Sequence, residues 1–403
     1  MSTTIEHRPA GVEPAVFPEI ARGLKGVVVA RTEVGDVRGS EGFYHYRQHS
    51  AIDLARTRPL EDVWQLVLDG ALPTTAAGRA AFRDELRPLR RIPAPVAPLL
   101  PSIAAMSEPL QGLRTVLSLI GAERHMRPVL DLTHEERRRD TLALCAVTPA
   151  VLAALWRLRN GLQPIEPDPE LGWADDYLRM LIGTRAPEEH VRAIEQYLVA
   201  TIDHGFNAST FTARVVASTG ADVAACTGAA IGALSGPLHG GAPSRALALL
   251  EEIGGPAVLH DADPVARIDA VVAPRIVAGE RIMGFGHAVY RTEDPRSVLL
   301  RDVARSLGGP MTAMAELVES RVLELLARHK PGHPLRTNVE FYAGVVMDRC
   351  GVPAQMFTPT FASSRVIGWS ANILEQAADG AIIRPNARYV GPAAPQPVPV
   401  LQG

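Results

Sequence analysis

Residues 187–242, PEEHVRAIEQYLVATIDHGFNASTFTARVVASTGADVAACTGAAIGALSGPLHGGA, decide the fold class. Pro187 stands at a helix's first turn beside Glu188 and Glu189, acids that suit the positive end of a helix dipole. Asn207 is placed to cap the next helix, NASTFTARVVASTG. Residues 221–235 are small and apolar all round, which predicts a buried helix that its neighbours approach closely. The stretch then opens into glycines around His239.

The same helical periodicity extends in both directions. PLEDVWQLVLDG predicts a helix from near Pro59 to Gly70, and another runs from about Thr75 to Arg91. PAPVAPLLP breaks the chain, and residues 133–160 form a long helical stretch interrupted near Pro149. Pro164, Pro167 and Pro169 mark a loop. Residues 243–254, 264–279, 295–307 and 311–329 predict four more helices. Only residues 26–47, GVVVARTEV, a Gly-Asp turn and GFYHYR, predict short strands. The tail from Ala393 is proline-rich and predicts an extended or disordered end. The class is mostly α with short N-terminal β strands.

A chain of 403 residues supports two to three domain-sized cores, or one large core with a smaller lobe. Composition is that of a globular protein, 47% hydrophobic and 21% charged, and a net charge of -3 argues against nucleic acid as a partner. Lys25 and Lys330 are the only lysines, so weight falls on arginines in short apolar or glycine-rich motifs. Cys145, Cys226 and Cys350 have no disulfide or zinc spacing, which predicts a reducing, cytoplasmic compartment. The N-terminus lacks the apolar stretch of a signal peptide, and no run of about 18 apolar residues predicts a membrane span.

Several motifs can carry chemistry. In GPLHGGA, glycines let backbone approach a ligand while His239 meets a carbonyl oxygen; the plainer reading is a helix-joining turn. In GFGHAVYRTEDPR, Gly284 and Gly286 precede His287, and Arg291 and Arg296 suit carboxylates or phosphates; the plainer reading is a turn capped at Asp294. No Gly-Lys-Ser/Thr follows, so this is not a phosphate loop, and it lacks the βαβ setting of a dinucleotide site. TNVEFYAG puts Glu340 in a helix's first turn after Asn338, where the helix start favours an ionised carboxylate, ready as a base; taken alone, the plainer reading is an N-terminal helix acid. DHGFNAST places His204 at a helix end, and TPTFASSRVIGW places Arg365 in an apolar helix, where it must meet a carboxylate or an anionic ligand. IIRPNARYVGP sets Arg384 near the C-terminus. No two histidines have metal-binding spacing, so no metal is expected.

Taken in order, DHGFNAST, GPLHGGA, GFGHAVYRTEDPR, the NV-acid-FY segment and RPxxxYVG resemble the citrate synthase family, including its 2-methylcitrate synthase members, over nearly the whole chain. The resemblance implies a helical homodimer. Its large domain would comprise residues 1–239 and 345–403, and its small domain residues 240–344. Oxaloacetate would bind between them before the lobes close over acyl-CoA. By position, His239 matches the residue that hydrogen-bonds the thioester oxygen, Glu340 the base and His287 the group that polarises the ketone. His204, Arg296 and Arg365 match oxaloacetate ligands, and Arg384 matches the arginine given by the other subunit. Arg291 matches a coenzyme A phosphate ligand, and the loop at Gly284 and Gly286 the one that meets adenine.

The activity implied is condensation of acetyl-CoA with oxaloacetate and hydrolysis to citrate and coenzyme A, without a permanently bound cofactor. The alternatives are propionyl-CoA as donor, or a catalytically weak member with a ligand-binding role. Two departures stand out. Glu340 replaces the family's usual Asp, a displacement near 1 Å of the kind that can cost about 10²-fold in rate. YRQHS stands where the family commonly has YRGY.

Overall fold

The computed structural model describes residues 20–401, apart from residues 241, 288, 330, 331, 333 and 334. The chain divides into a unit of residues 1–33 and a main unit of residues 34–403. In the first, the described residues carry one 3-10 turn, Arg22–Leu24, and the valines at 27–29 form no strand. A valine run becomes a strand only when a second strand pairs with it. Within this unit none does, and Val28 stays exposed.

The strands of the main unit are β1 (Gly35–Arg38), β2 (Phe43–Tyr46) and β3 (His49–Ser50), one antiparallel sheet in that order. Gly35 lies opposite Tyr46 and Arg38 opposite Phe43. The expected Gly-Asp turn is therefore strand, and the reversal comes at residues 39–42, where Gly42 takes φ +64°. Sixteen helices follow among the described residues. They are α1 (Ala51–Thr57), α2 (Leu60–Asp69), α3 (Ala76–Leu86), α4 (Leu100–Met106), α5 (Pro109–Glu123), α6 (His134–Arg159), α7 (Trp173–Ile182) and α8 (Glu188–Thr201). The second half of the chain adds α9 (Ala208–Ser218), α10 (Val223–Leu234), α11 (Ala242–Ile253), α12 (Pro264–Val277), α13 (Pro295–Leu307), α14 (Pro310–His329), α15 (Val339–Arg349) and α16 (Phe357–Asp379).

Two proline readings change. The PAPVAPLLP stretch does not only break the chain: α4 starts inside it, with Pro101 in the first turn, where its missing N–H has no partner to lose. Pro149 does not interrupt α6, which runs unbroken from a capping box at Thr133 and Glu136 to Arg159. An interior proline costs about 3 kcal/mol. Residues Thr141–Leu155 of α6 are all buried against α4, α5, α7 and α16, and that burial outweighs the cost.

α6 also corrects the reading that no stretch could span a membrane. By length and composition it could cross one, and 83% of its apolar window is buried inside the protein. Its apolar surface is already covered by other helices, and it serves as the core. α16 lies beside it, buried along nearly its whole length. The apolar helix α10 packs on α5, α9 and α16 as its small residues predict. A Cβ on Gly121 of α5 would stand 2.4 Å from that of Ala224, so only glycine permits this approach.

Candidate active site

Six chain segments deliver polar side chains to one cleft. The turn after α8 brings His204, and the first turn of α9 brings Ser209. The Gly236–Gly240 turn after α10 brings His239. The loop into α13 brings His287, Tyr290 and Arg296. Glu340 comes from the start of α15, and Arg365 from the middle of α16.

Contacts tie the group together. His204 Nε2 lies 2.9 Å from the Tyr290 hydroxyl, and its ring meets that of His287 edge-on at 5.6 Å. Tyr290 in turn packs on His287 with ring centroids 4.8 Å apart. Arg296 Nη2 lies 3.2 Å from His287 Nε2.

Fixed donors decide the tautomers of two histidines. The backbone N–H groups of Val289 and Tyr290 both donate to His287 Nδ1, at 3.0 and 3.1 Å. The neutral ring therefore carries its proton on Nε2. His287 Nε2 and Arg296 Nη2, 3.2 Å apart, are then both donors, and an acceptor oxygen beside them would serve the pair. At His239 the backbone N–H of Ser209 donates to Nε2 at 3.3 Å, and the Ser209 hydroxyl lies 2.8 Å away. The proton then sits on Nδ1, which has no partner among the described residues. Trp369 Nε1 donates to the same hydroxyl at 3.2 Å and holds it in place.

All three imidazoles are neutral near pH 7. Burial pushes His239 and His287 down to about 4, with help from Arg365 and Arg296 respectively. Burial first, then both arginines, holds His204 well below the usual histidine range.

The two guanidiniums differ in their partners. Arg296, 4% exposed, is gripped by Asp294, which accepts from Nε at 3.0 Å and from Nη2 at 2.8 Å. Asp294 also caps α13 and accepts the Val339 N–H at the start of α15 at 3.2 Å. Arg365, 2% exposed, donates only through Nε, to the Thr201 carbonyl at 3.0 Å, and stacks over Phe361. Among the described residues it has no ion pair. Asp203 is the nearby carboxylate, but burial pushes its carboxyl up to about 6 and its oxygens accept from Gly205 and Asn372. Arg365 thus feels the Asp203 carboxylate without bonding it, and among the described residues its Nη groups are left for an anionic ligand.

Glu340 corrects the expectation of a carboxylate kept ionised by the helix start. Its backbone N–H donates to the capping Asn338 Oδ1 at 3.0 Å. Burial nonetheless outweighs the helix start and the neighbouring arginines, and pushes the carboxyl up to about 7. The side chain keeps a partly open face. A carboxyl poised near neutrality accepts a proton from carbon and returns it at the same pH.

Gly284 and Gly286, at φ +90° and +89°, form a tight loop beside this group. A Cβ on Gly284 would press to 2.8 Å from the Phe341 ring. Asn338 fastens the loop from both ends, its backbone N–H to Gly284 O and its Nδ2 to Gly286 O, each at 2.9 Å. The loop walls a cavity of about 440 Å³ with Ile276, Ile282, Leu326 and Leu335. Arg291 lies exposed just beyond it, its backbone N–H bonded to Gly39 O at 2.9 Å.

Arg384 is not brought to the group. It is exposed after α16, next to Ile383, whose N–H donates to Ser218 at the far end of α9. No set of His, Cys, Asp and Glu that could hold a metal occurs among the described residues. Sequence reasoning assigned no role to Tyr290, Ser209, Trp369 or Asp203. Tyr290 was visible inside a motif, but its bond to His204, 86 positions away, has no local signal.

Known proteins share the sequence and fold of this chain along nearly its whole length. A family model described as citrate synthase, C-terminal domain, matches residues 23–386. A putative citrate synthase 2 of Mycobacterium tuberculosis is 36% identical over 388 residues, 95% of this chain and 96% of that one. A citrate synthase of Haloferax volcanii is 36% identical over 93% of this chain and 96% of its own. The structure of citrate synthase from Thermotoga maritima superposes with a TM-score of 0.81 at 30% identity, covering 94% of this chain and 98% of that one. That of the Thermoplasma acidophilum enzyme, in a ternary complex with carboxymethyl coenzyme A and oxaloacetate, gives 0.85 at 27% identity, covering 95% and 99%. On this match of sequence and fold along nearly its whole length, the chain belongs to the citrate synthase family.

Proposed function

We propose that the cleft condenses acetyl-CoA with oxaloacetate and hydrolyses the product to citrate and coenzyme A. The observation that carries this reading is the pair of donors, His287 Nε2 and Arg296 Nη2, held 3.2 Å apart and both in want of an acceptor oxygen. A ketone oxygen of oxaloacetate that accepts from both is polarised by them. Arg365 and Arg296 hold its carboxylates, with His204 and its Tyr290 partner alongside. Glu340, in its ionised form, takes a proton from the methyl carbon of the thioester. His239 Nδ1–H donates to the thioester oxygen as it becomes an enol. The enol carbon then bonds to the ketone carbon, whose oxygen gains a proton, and water cleaves the thioester to release the thiol.

On this reading the chain is a dimer, and residues 240–344 close on the rest once oxaloacetate is bound. Arg384 then serves the partner's cleft, which its exposed place beyond α9 supports. Propionyl-CoA differs from acetyl-CoA by one methylene, worth about 1–3 kcal/mol of discrimination in an apolar pocket.

Thiol release measured with oxaloacetate and either acyl-CoA tests the reading and ranks the donors. Glu340→Gln should lower turnover by about 10²–10⁴-fold, the usual loss of a general base. Near-normal turnover in that variant would remove Glu340 from the role. No thiol from either donor with the native protein would favour a ligand-binding role instead.

A further inference from the structure

We infer that Arg336, which the family resemblance leaves without a role, joins Arg291 in a two-guanidinium seat for the diphosphate of coenzyme A. The inference rests on the proposed reading that acyl-CoA is the substrate.

Both arginines line one cavity of about 310 Å³, which His287 also lines. Both also line the larger space on the side of β2 and α1, so they stand at the rim between the two. Among the described residues, neither makes an ion pair or a side-chain hydrogen bond. Most arginines of this chain are paired: Arg301 and Arg305, close by on α13, each meet carboxylates. Two unpaired like charges facing one cavity repel each other until an anion sits between them.

The backbones beneath them are fixed. Arg291 N–H is bonded to Gly39 O, and Arg336 O accepts the Gly286 N–H at 2.7 Å. The neighbouring Thr337 pairs with Phe285 across an isolated bridge and donates to the buried Glu319. The two guanidiniums are therefore carried on anchored segments.

The kinds of surface that meet here select the ligand. The 440 Å³ cavity beside the glycine loop, largely apolar but with Glu280 and Arg281 also in its wall, shares Gly286, His287 and Leu335 with the arginine-lined one. A molecule spanning them meets a slot suited to a flat base on one side, two cations on the other, and the reacting imidazole where the two cavities join. A purine, a diphosphate and a reactive arm need these three surfaces. Guanidinium forks suit phosphate oxygens, and a diphosphate offers both of them acceptors.

The test is direct titration of coenzyme A, and of dephospho-coenzyme A, into protein saturated with oxaloacetate. Arg336→Ala should weaken both by about tenfold, the size of one charge-assisted hydrogen bond. Arg336→Lys, which keeps the charge, should recover most of the loss. Oxaloacetate affinity and the melting midpoint should stay at native values, which excludes a folding defect. In turnover, KM for acyl-CoA should rise while kcat changes less than about twofold. Unchanged affinity in Arg336→Ala overturns the inference, although the native protein still binds coenzyme A and the functional reading stands. A loss with coenzyme A but not with its dephospho form also overturns it, by assigning Arg336 to the 3′-phosphate. Failure of the native protein to bind coenzyme A would overturn the functional reading along with it.

Discussion

At the scale of single residues, protonation states set the chemistry. His239 and His287 are each fixed in one tautomer by backbone N–H groups, which can only donate. Both therefore point a proton into the cleft without becoming charged. Glu340 is the group that titrates in the working range. Its carboxyl is pushed up to about 7, and only the ionised form takes a proton from carbon. The acid limb of kcat/KM for acyl-CoA should accordingly rise through about pH 7, and an acid limb near pH 4 would contradict the burial argument. Stability carries the same signature with a definite sign. The folded pKa is raised, so the folded state holds the proton more tightly than the unfolded chain, whose carboxyl titrates near its ordinary value of about 4.3. As pH rises from there to about 7, ionisation increasingly disfavours folding, and above 7 the penalty is complete. Glu340→Gln removes the penalty. By calorimetry the variant should melt about 2 °C above the native protein at pH 8 and together with it near pH 4. A lower midpoint at pH 8 would mean that the carboxylate is favourably paired.

At the scale of elements, helix caps do double duty as site supports. Asn207 caps α9 and orders Ser209 for His239; Asp294 caps α13 while gripping Arg296 and holding α15; Asn338 caps α15 while fastening the glycine loop. Asn338 allows the two duties to be separated. Asn338→Ala should cost about 1 kcal/mol as a lost cap and also raise KM for acyl-CoA more than KM for oxaloacetate. Asn338→Asp keeps the acceptor for the Glu340 N–H but loses the donor to Gly286 O, so it should restore the melting midpoint and not KM. Recovery of both would show that Asn338 acts through the cap alone. These caps are also what the sequence makes legible, because a cap is a contact between near neighbours along the chain. Asn207, Asp294, Asn338 and the stop at Gly70 are all readable from a few residues. The valines at 27–29 mislead because a strand depends on a distant partner. Pro149 misleads because the surroundings of α6 outweigh its local cost. Tyr290 with His204, and Ser209 with His239, are contacts between segments far apart in sequence, so neither partner announces the other.

At the scale of the whole molecule, the open question is how much of a working site one chain holds. Helices α11 to α15 pack chiefly on one another and meet the other helices through α1, α8 and α16, an arrangement that suits the proposed closing lobe. Gly240 lies where that lobe begins: its carbonyl accepts from Thr358, and a Cβ there would strike the Leu234 carbonyl at 2.2 Å. The cleft of one chain gathers Arg296 and Arg365 but not Arg384. The chain around Arg384 is tied to Ser218, nine residues along α9 from Ser209 and thus about 13 Å distant along its axis. If Arg384 completes the site of a twofold-related partner, two inactive variants must complement each other. Glu340→Gln spoils the cleft of its own chain, and Arg384→Ala spoils that of its partner. In a mixed dimer one cleft receives both defects and the other receives neither. Equal amounts, unfolded and refolded together, place half the chains in mixed dimers and so restore about a quarter of native turnover. Arg384 acting within its own chain would leave every cleft of the mixture defective, and activity would stay at the level of the separate variants even where affinity tags prove that mixed dimers have formed.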